Sequence, residues 1–401
     1  MAKKKRPTKN KSGTRTSKKG KTAKNTSTLQ NSISRLKQGW TWLFGWINKT
    51  WTRRITAVLL ALFFLLTTVM FTVAQWYTHT HRHEPYEIGA TFIAPYARFY
   101  GLDAEEVFLA MTDDLGFEHL RLVSYWNMHE PEPGEYDFSD LDWQFELAEE
   151  RGVDVSLAIG LRQPRWPECH KPDWAKDTPY DEWYPALLDY MEQTILRYKD
   201  SPALSTYQLE NEFLLEVFGE CPDHSRERLI EEFEFVKELD PDTPIVVSRS
   251  NNATPSWPVG EPRADIVGAS VYKRVWDRTL TKRYFEYPLP AWFYGFLAGA
   301  TLLTTDRDTI IHELQAEPWL PDGHDMRTAS TEELYKSMSP EMLRERFAYG
   351  RDTGIRVLDM WGVEWWYYRK INDGDDSFWQ IAREELEHTR QLNKERVRLA
   401  E

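Results

Sequence analysis

The fold of this chain is decided by a pattern that is clearest at residues 204–212, which read LSTYQLENE. This run has the composition of a short strand, ends in polar residues, and precedes a charged stretch of helical period. Similar runs recur along residues 85–401, each followed by a loop and, in most cases, by an amphipathic stretch. Strands that alternate with helices at this spacing predict a parallel sheet.

The strand-like runs number eight, and we predict strands over residues 86–93, 119–126, 153–161, 204–212, 244–251, 265–272, 309–315 and 355–361. Predicted helices occupy residues 103–115, 141–151, 181–198, 225–239, 291–303, 340–353 and 377–391. The connection between the fifth and sixth strands contains three prolines and predicts no clear helix. Eight strand–helix units predict a single closed (β/α)8 barrel, the α/β class known as the TIM barrel, over residues 85–401. A doubly wound open sheet is the alternative.

Basic residues are concentrated at the N-terminus. Residues 1–54 hold 16 Lys or Arg and no acidic residue, and the first acidic residue of the chain is Glu84. Because the whole chain has 50 basic and 63 acidic residues, the part after residue 54 keeps 34 basic residues and a net charge of −29. Residues 1–38 are rich in Lys, Ser, Thr and Gly, so they have little to bury and are predicted to be a disordered basic tail.

An uncharged stretch follows this tail. Residues 55–74 carry no charge and as a helix would span about 30 Å, the hydrocarbon thickness of a bilayer. We predict a transmembrane helix over residues 55–75, preceded by an interfacial Trp-rich and basic segment over 39–54 and followed by a linker over 76–84. The basic side stays in the cytoplasm, which predicts a single-pass protein with its C-terminal body outside.

A cleaved signal peptide is the alternative to this anchor, although its apolar region is usually shorter. Membrane lipid is the expected partner of residues 55–75 and of the basic tail. Nucleic acid is the competing partner for a basic tail, but anionic lipid is nearer and requires no fold. The oligomeric state is left open.

Polar residues at the carboxyl ends of barrel strands face one common site. The fourth predicted strand ends at Glu212, and the seventh carries Glu313 near its end. Two carboxyl groups across a barrel mouth are what glycoside hydrolysis requires, because one protonates the leaving oxygen while the other attacks or activates water. With 63 acidic residues, two such glutamates are also expected by chance, so their neighbours must decide.

The neighbours resemble a known group of enzymes. The segment YQLENEF, residues 207–213, is similar to the acid/base signature of clan A, the retaining glycoside hydrolases with (β/α)8 barrels. Residues 125–138, YWNMHEPEPGEYDF, resemble a run in the β-galactosidase families 42 and 35 of that clan. The resemblance implies that Glu212 is the acid/base and that Asn211 binds the sugar 2-hydroxyl. It also implies that Glu313, 101 residues further on in IIHELQAEPW, is the nucleophile.

Other positions match the same clan pattern. Arg121 matches the arginine that stabilises the nucleophile carboxylate, Tyr272 matches a tyrosine near the nucleophile, and Trp361 matches the tryptophan beneath the sugar. The residues that we assign to substrate binding are Arg121, Trp126, His129, Asn211, Tyr272, Glu317 and Trp361.

Two glutamates stay open as alternatives to the chosen pair. Glu210 shares strand parity with Glu212 but lies two residues deeper, and Glu317 lies past the seventh strand, before Pro318. A retaining mechanism requires a protonated Glu212, so its pKa should be raised by burial and by the charge of Glu313. It also requires the two carboxyl groups to stand about 5–5.5 Å apart.

The loop after the third strand, residues 160–170, contains Arg162, Trp166 and His170, which could bind sugar or could form a stiff structural loop. It also contains Cys169, and the other cysteine, Cys221, follows the fourth strand. Both loops lie at the same face of a barrel, so we predict a disulfide outside the cytoplasm, with two free thiols as the alternative. We expect no cofactor and no metal site, since the strand ends carry no cluster of metal ligands.

The sequence therefore predicts a membrane-anchored retaining β-glycosidase that hydrolyses an extracytoplasmic oligo- or polysaccharide. A catalytically inactive carbohydrate-binding barrel, or an assembly factor for a surface polysaccharide, is the alternative. The presence of Glu212, Glu313, Asn211 and Arg121 favours the enzyme. The sugar, the linkage and exo or endo action are left open.

Overall fold

The computed structural model describes residues 48–215, 219–250 and 261–400, and before them residues 34–35, 37–38, 41–42 and 45–46. Most of the predicted tail, part of the Trp-rich segment and the connection at 251–260 lie outside the described residues. The chain forms two units, Met1–Val69 and Met70–Glu401, and each is described by itself.

The predicted transmembrane segment lies in helix α1, Trp51–Thr80. An 18-residue window of this helix has a mean hydropathy of 2.5, and only 6% of that window is buried. Among the described residues it is the one helix long and apolar enough to cross a membrane, a test of length and composition that a signal sequence also passes.

The second unit is built on a closed parallel barrel of eight strands, and this confirms the predicted fold. The strands are β1 (Glu87–Thr91), β2 (His119–Val123), β3 (Asp154–Ile159), β4 (Leu204–Leu209), β5 (Ile245–Ser250), β6 (Ile266–Val271), β7 (Asp308–Gln315) and β8 (Val357–Trp361). Their order around the barrel is β1-β8-β7-β6-β5-β4-β3-β2. Each lies inside or within one residue of a predicted strand, and an open sheet is excluded by the β1–β8 pairing of Glu87–Ala90 with Val357–Met360.

Helices surround the barrel at the predicted positions. The described helices of this unit after α1 are α2 (Ala94–Phe99), α3 (Ala104–Leu109), α4 (Trp126–His129), α5 (Ser139–Arg151), α6 (Tyr180–Tyr198), α7 (Arg226–Leu239), α8 (Ala291–Thr305), α9 (Thr331–Leu334), α10 (Pro340–Asp352), α11 (Val363–Asn372) and α12 (Ser377–Ala400). Local signals fix several ends: the side chains of Asp103, Ser225 and Ser339 accept backbone N–H groups at the starts of α3, α7 and α10. Gly152 ends α5 in a left-handed conformation.

The short helices α2, α4 and α9, helix α11 and one hairpin were not expected from the sequence. A two-stranded antiparallel hairpin, Arg274–Trp276 paired with Tyr284–Glu286, follows β6. Helix α11 follows β8, where its residues Trp365 and Trp366 are fully buried. Periodicity does not distinguish a helix from a strand in segments this short, so it did not reveal them.

The end of α1 corrects the linker predicted over residues 76–84. The helix continues to Thr80, and Tyr77 is buried with its hydroxyl donating to Asp308 at 2.7 Å. His81 is buried as well, 3.5 Å from the same carboxylate. These residues are therefore part of the barrel unit and do not form a free linker.

Two glycines of α8 allow close contacts, Gly299 with the last part of α1 and Gly295 with Thr353 at the end of α10. A side chain at Gly299 would meet Tyr77 and Val73 at 3.0 Å, and one at Gly295 would lie 2.4 Å from the carbonyl oxygen of Thr353. Small residues four apart allow two helix backbones to approach closely. Close packing at this point therefore depends on the absence of side chains.

Replacing Gly295 with Ala should destabilise the barrel unit, because the new methyl group meets backbone and no flexible side chain can yield. We expect a loss of about 1–3 kcal/mol, the usual cost of overpacking, seen as a lower melting temperature of the full chain in detergent micelles. Leu303→Ala on the same helix is the matched control, because Leu303 is exposed and should change the stability by less than about 0.5 kcal/mol. Equal melting temperatures for the two variants would contradict this account of the packing.

Candidate active site

A buried guanidinium organises the mouth of the barrel. Arg121 on β2 is fully buried and donates to Thr91 on β1 at 3.0 Å and to Gln208 on β4 at 2.8 Å. Its remaining terminal nitrogen donates to Glu313 on β7 at 2.9 Å. Since a buried charge is tolerated only when it is paired and hydrogen-bonded, these contacts hold four strands in one arrangement.

Glu313 has hydrogen-bond donors on both oxygens. Oε1 accepts from Arg121, and Oε2 accepts from the Tyr272 hydroxyl at 2.6 Å. Burial and the adjacent Glu313 charge raise the pKa of Tyr272 well above its usual value, so this phenol stays a donor. The structure thus brings three predicted site residues into one hydrogen-bonded group.

A bulge in β7 places His312 beside this group. The pairing with β6 shifts between Ile311 and Glu313, so His312 and Glu313 both point into the barrel. The His312 ring contacts Arg121 through Nδ1 and lies 3.1 Å from Ser270 Oγ through Nε2. Burial and the Arg121 charge hold the pKa of His312 well below its usual value, so its ring is neutral. Sequence periodicity could not reveal this residue because the bulge breaks the alternation.

Glu212 lies three residues beyond β4 and is buried. Its backbone N–H donates to Ser248 Oγ at 2.9 Å, and its φ of 44° turns the side chain away from the direction of the preceding strand. Burial raises the pKa of Glu212 to about 8, and the negative charges of Glu313 and Glu168 add to the shift. A carboxyl group in this setting keeps its proton at neutral pH and can donate it.

The Glu210 carboxylate has a structural role. Its carboxylate accepts the backbone N–H groups of Leu161 and Arg162 at 2.8 and 2.7 Å, and Arg228 donates to it at 3.0 Å. Gly160 leaves the necessary space, since a Cβ there would lie 2.7 Å from the carboxylate. Glu210 therefore ties the loop after β3 to α7 and has no oxygen facing Glu313.

Glu317 pairs with a residue that the sequence did not single out. Both of its oxygens contact the Arg165 guanidinium, and Tyr96 donates to Oε2 at 3.0 Å. Arg165 also lies over the ring of Trp361, 4.1 Å from its centre. Glu317 is thus near the mouth, as expected, but its carboxylate is held apart from Arg121 and Tyr272. The apolar face of Trp361, the last residue of β8, is covered by a cation.

Asn211 is placed at the mouth, whereas Trp126 and His129 are not. Asn211 Oδ1 accepts from Gln208 at 3.1 Å, next to Arg121. The Trp126 ring is fully buried against Tyr190 of α6, and its N–H donates to Glu130 at 2.6 Å. His129 stacks on the same aromatic layer. Their assignment to substrate binding is corrected, because the short helix α4 turns both side chains into the packing between the barrel and its outer helices.

A disulfide between Cys169 and Cys221 is confirmed, with the two Cα atoms 5.1 Å apart. It joins the loops after β3 and β4, which are also linked by Glu220 N–H donating to Pro167 O at 3.1 Å. Beside it, Glu168 pairs with the buried Arg162 at 2.7 Å. Burial, opposed by Arg162 and reinforced by Glu313, raises the pKa of Glu168 to about 7. Glu168 is therefore a further carboxyl group at the mouth, which the sequence analysis did not identify. Its position beside Cys169 was the one sequence signal that could have indicated it.

A closed parallel barrel with two electrostatically coupled carboxyl groups at its mouth has the architecture of a glycoside hydrolase. Residues 105–240 match the family model Glyco_hydro_42, described as β-galactosidase. The matched range contains Arg121, Asn211 and Glu212, while Glu313 lies beyond it. The chain thus resembles the (β/α)8 glycoside hydrolases of clan A, as its motifs indicated.

Several β-galactosidases share part of this sequence. One from Halorubrum lacusprofundi is 27% identical over 123 residues, which cover 26% of this chain and 18% of that protein. One from Felis catus is 33% identical over 116 residues, which cover 24% of this chain and 17% of that protein. The matched segment therefore spans less than a fifth of either relative.

Solved structures of similar fold are named for different sugars. The β-galactosidase of Halorubrum lacusprofundi superposes with a TM-score of 0.51 and 15% identity over 76% of this chain and 58% of that chain. An exo-β-1,4-mannosidase from Opitutaceae bacterium strain TAV5 superposes with a TM-score of 0.52 and 16% identity, over 78% of this chain and 60% of that chain. These similarities concern the fold alone.

The raised pKa of Glu212 predicts a stability that depends on pH. In the unfolded chain a glutamate titrates near pH 4.3, whereas burial raises the pKa of Glu212 to about 8 in the folded chain. Between these values the folded state holds a proton that the unfolded state has lost, so the free energy of unfolding falls as pH rises. Glu212→Gln removes this contribution, and its melting temperature relative to the native chain should rise by a few degrees from about pH 5 to about pH 9.

Glu146→Gln serves as the control for this measurement, since Glu146 is exposed on α5. Its melting temperature should follow that of the native chain throughout the pH range. If the melting temperatures of Glu212→Gln and the native chain differ by the same amount from pH 5 to pH 9, Glu212 does not take up its proton on folding in this pH range.

Proposed function

We propose that this chain is a retaining β-glycosidase in which Glu313 is the nucleophile and Glu212 the acid/base. The observation that carries the proposal is that the two carboxyl groups have different surroundings. Glu313 accepts hydrogen bonds on both oxygens, from the Arg121 guanidinium and the Tyr272 hydroxyl. Glu212 is buried, and its pKa is raised to about 8 by burial and by Glu313. Paired carboxyl groups of opposite protonation are what double displacement uses.

The proposed reaction has two displacements. Glu313 attacks C1 of the sugar and the bond to the leaving oxygen breaks, while Glu212 gives its proton to that oxygen. Glu212, now charged, then takes a proton from water as the water attacks C1 and releases Glu313. The sugar leaves with the configuration that it had in the substrate.

Arg121 and Tyr272 support the first displacement. Their hydrogen bonds to its two oxygens aim Glu313 before substrate arrives. When the Glu313 carboxylate becomes an ester, its negative charge disappears. The positive charge of Arg121 then disfavours a proton on His312 even more than before.

We further propose that α1 anchors the enzyme in a membrane, with the barrel outside the cytoplasm. The supporting observations are the hydropathy and low burial of α1, the 14 basic residues that precede it, and the disulfide, which is typical of oxidising compartments. The first substrates to test are β-galactosides, because the relatives found by sequence are named as β-galactosidases. β-Mannosides and β-glucosides follow, since barrels of this fold serve different sugars.

One observation favours a second candidate, an inactive carbohydrate-binding barrel. Arg165 covers the face of Trp361 and must move before a sugar can stack there. If Arg165 stays in place, no sugar can stack on Trp361, and the barrel would bind carbohydrate away from this face. Hydrolysis of any aryl β-glycoside by the full chain would exclude this candidate.

Replacing Glu313 with Ala should lower turnover of an activated aryl β-glycoside by at least about 10³-fold, because no covalent intermediate can form. Added azide should restore reaction and yield the α-glycosyl azide, since it enters from the vacated side. Glu212→Ala with azide should yield the β-glycosyl azide, because azide then attacks the intact glycosyl-enzyme. Proton NMR of the products identifies the anomers.

Glu317→Ala is the matched control for this experiment. It removes a nearby carboxylate that is bound to Arg165 and Tyr96, and it should not give the α-glycosyl azide. If it does while Glu313→Ala does not, the nucleophile is Glu317. If native enzyme releases the α-sugar first from a β-glycoside, the mechanism is inverting and the proposal fails.

A further inference from the structure

The hairpin after β6 forms part of the rim of the barrel mouth. Residues 273–287, here called the rim hairpin, join Tyr272 to the residues before α8. The backbone N–H groups of Lys273 and Arg274 donate to Gln315 at the end of β7, which fixes the hairpin at the carboxyl ends of the strands. It therefore projects from the same end of the barrel as Glu212 and Glu313.

The tip of the rim hairpin is ordered and presents a leucine. The Asp277 carboxylate accepts the backbone N–H groups of Thr279, Leu280 and Thr281, which closes a rigid turn. Leu280 at this tip is 88% exposed. A flexible loop could fold such a side chain back, but this turn holds it outward. Phe285 on the second strand is also exposed.

The rim hairpin is basic within an acidic body. Residues 273–287 contain five Lys or Arg and two acidic residues, whereas the part of the chain after residue 54 has a net charge of −29. Both acidic residues are engaged, Asp277 in the turn and Glu286 with Arg274 at 3.3 Å. In the described part of the chain, Lys282 and Arg283 have no carboxylate within ion-pair distance. With Trp276 they line a groove of about 580 Å³, where the one carboxylate, Glu333, is paired with Lys336.

The chain also enters the barrel unit from this end. Phe71 packs on Trp292 near the start of α8, and Tyr77 packs on Gly299 further along, so the end of α1 runs parallel to α8. Helix α8 starts at the mouth end, beside Leu289, whose carbonyl oxygen accepts a hydrogen bond from Lys273 of the rim hairpin. It ends at the opposite end of the barrel, just before Asp308, the first residue of β7. The first residues of the unit are therefore at the mouth end.

We propose that the rim hairpin binds the surface of an anionic lipid bilayer, so that the mouth of the barrel opens toward the membrane. Leu280 and Phe285 enter the boundary between headgroups and acyl chains, while Arg278, Lys282 and Arg283 contact lipid phosphates. The proposal rests on the membrane anchoring proposed above. An acidic polysaccharide would match the cations but would gain nothing from an exposed leucine held at the tip.

The test uses the full chain with a nitroxide label on Leu280→Cys. The native cysteines are joined in the disulfide, so the label attaches at one site. The protein is placed in nanodiscs of phosphatidylcholine, or of phosphatidylcholine with phosphatidylglycerol in equal parts. Leu303→Cys is the matched control, because Leu303 is an exposed leucine near the end of α8 away from the mouth.

In anionic nanodiscs the label at 280 should lose several-fold accessibility to a water-soluble nickel chelate and gain accessibility to oxygen. The label at 303 should not change. In pure phosphatidylcholine, or with Lys282→Glu and Arg283→Glu, the protection at 280 should largely disappear. Equal exposure at 280 and 303 in anionic nanodiscs would overturn the proposal. So would protection of 280 by soluble polygalacturonate but not by the anionic bilayer, since the hairpin would then be a glycan site.

Flotation with vesicles separates this proposal from the anchoring on which it rests. If α1 anchors the chain, the protein floats with phosphatidylcholine vesicles even after an alkaline carbonate wash. If it does not, phosphatidylglycerol vesicles at low salt should still protect the label at 280 from the nickel chelate, and Lys282→Glu with Arg283→Glu should abolish this protection. A chain that floats with neither kind of vesicle contradicts both proposals.

Discussion

The ion pair between Arg121 and Glu313 is the interaction on which the rest of the site depends. Arg121 has no exposed surface, so its charge must be compensated inside the protein. Its hydrogen bonds to Thr91, Gln208 and Glu313 connect β2 with β1, β4 and β7 across the barrel. Any shift of one strand would leave a buried charge unpaired. The barrel and its polar centre are therefore stabilised by the same contacts.

The protonation of Glu212 follows from this pair. Burial raises the pKa of Glu212 to about 8, and the nearby charge of Glu313 adds to the shift, so Glu212 holds its proton. Glu168 adds a third acidic group at the same place, and burial raises its pKa to about 7. The nearby Arg162 limits that shift, and the disulfide at Cys169 holds the loop. The mouth thus contains carboxyl groups that differ in charge because their partners differ.

Most of the barrel could be predicted from the sequence because strand and helix periodicities alternate over its whole length. The predictions failed where tertiary contacts override local pattern. Residues 76–80 continue as helix because Tyr77 reaches Asp308, more than two hundred residues away. Trp126 and His129 occur in a motif that resembles the β-galactosidase families, yet their side chains fill the layer against Tyr190. Sequence position cannot tell a buried aromatic ring from one that lines a site.

The sequence by itself determined the eight-stranded barrel, the apolar helix before it, the pairing of Cys169 with Cys221, and the strand ends where acidic residues gather. Only the tertiary structure decided which acidic residues share one cluster. Glu210 and Glu212 have the same strand parity, but the chain leaves the strand at Leu209, and the two carboxyl groups then point to different partners. A bulge at His312 turns Glu313 toward Arg121, while Glu317 is drawn to Arg165. The physical reason is that side-chain direction depends on backbone irregularities and on charges from distant strands, neither of which is recorded in local sequence.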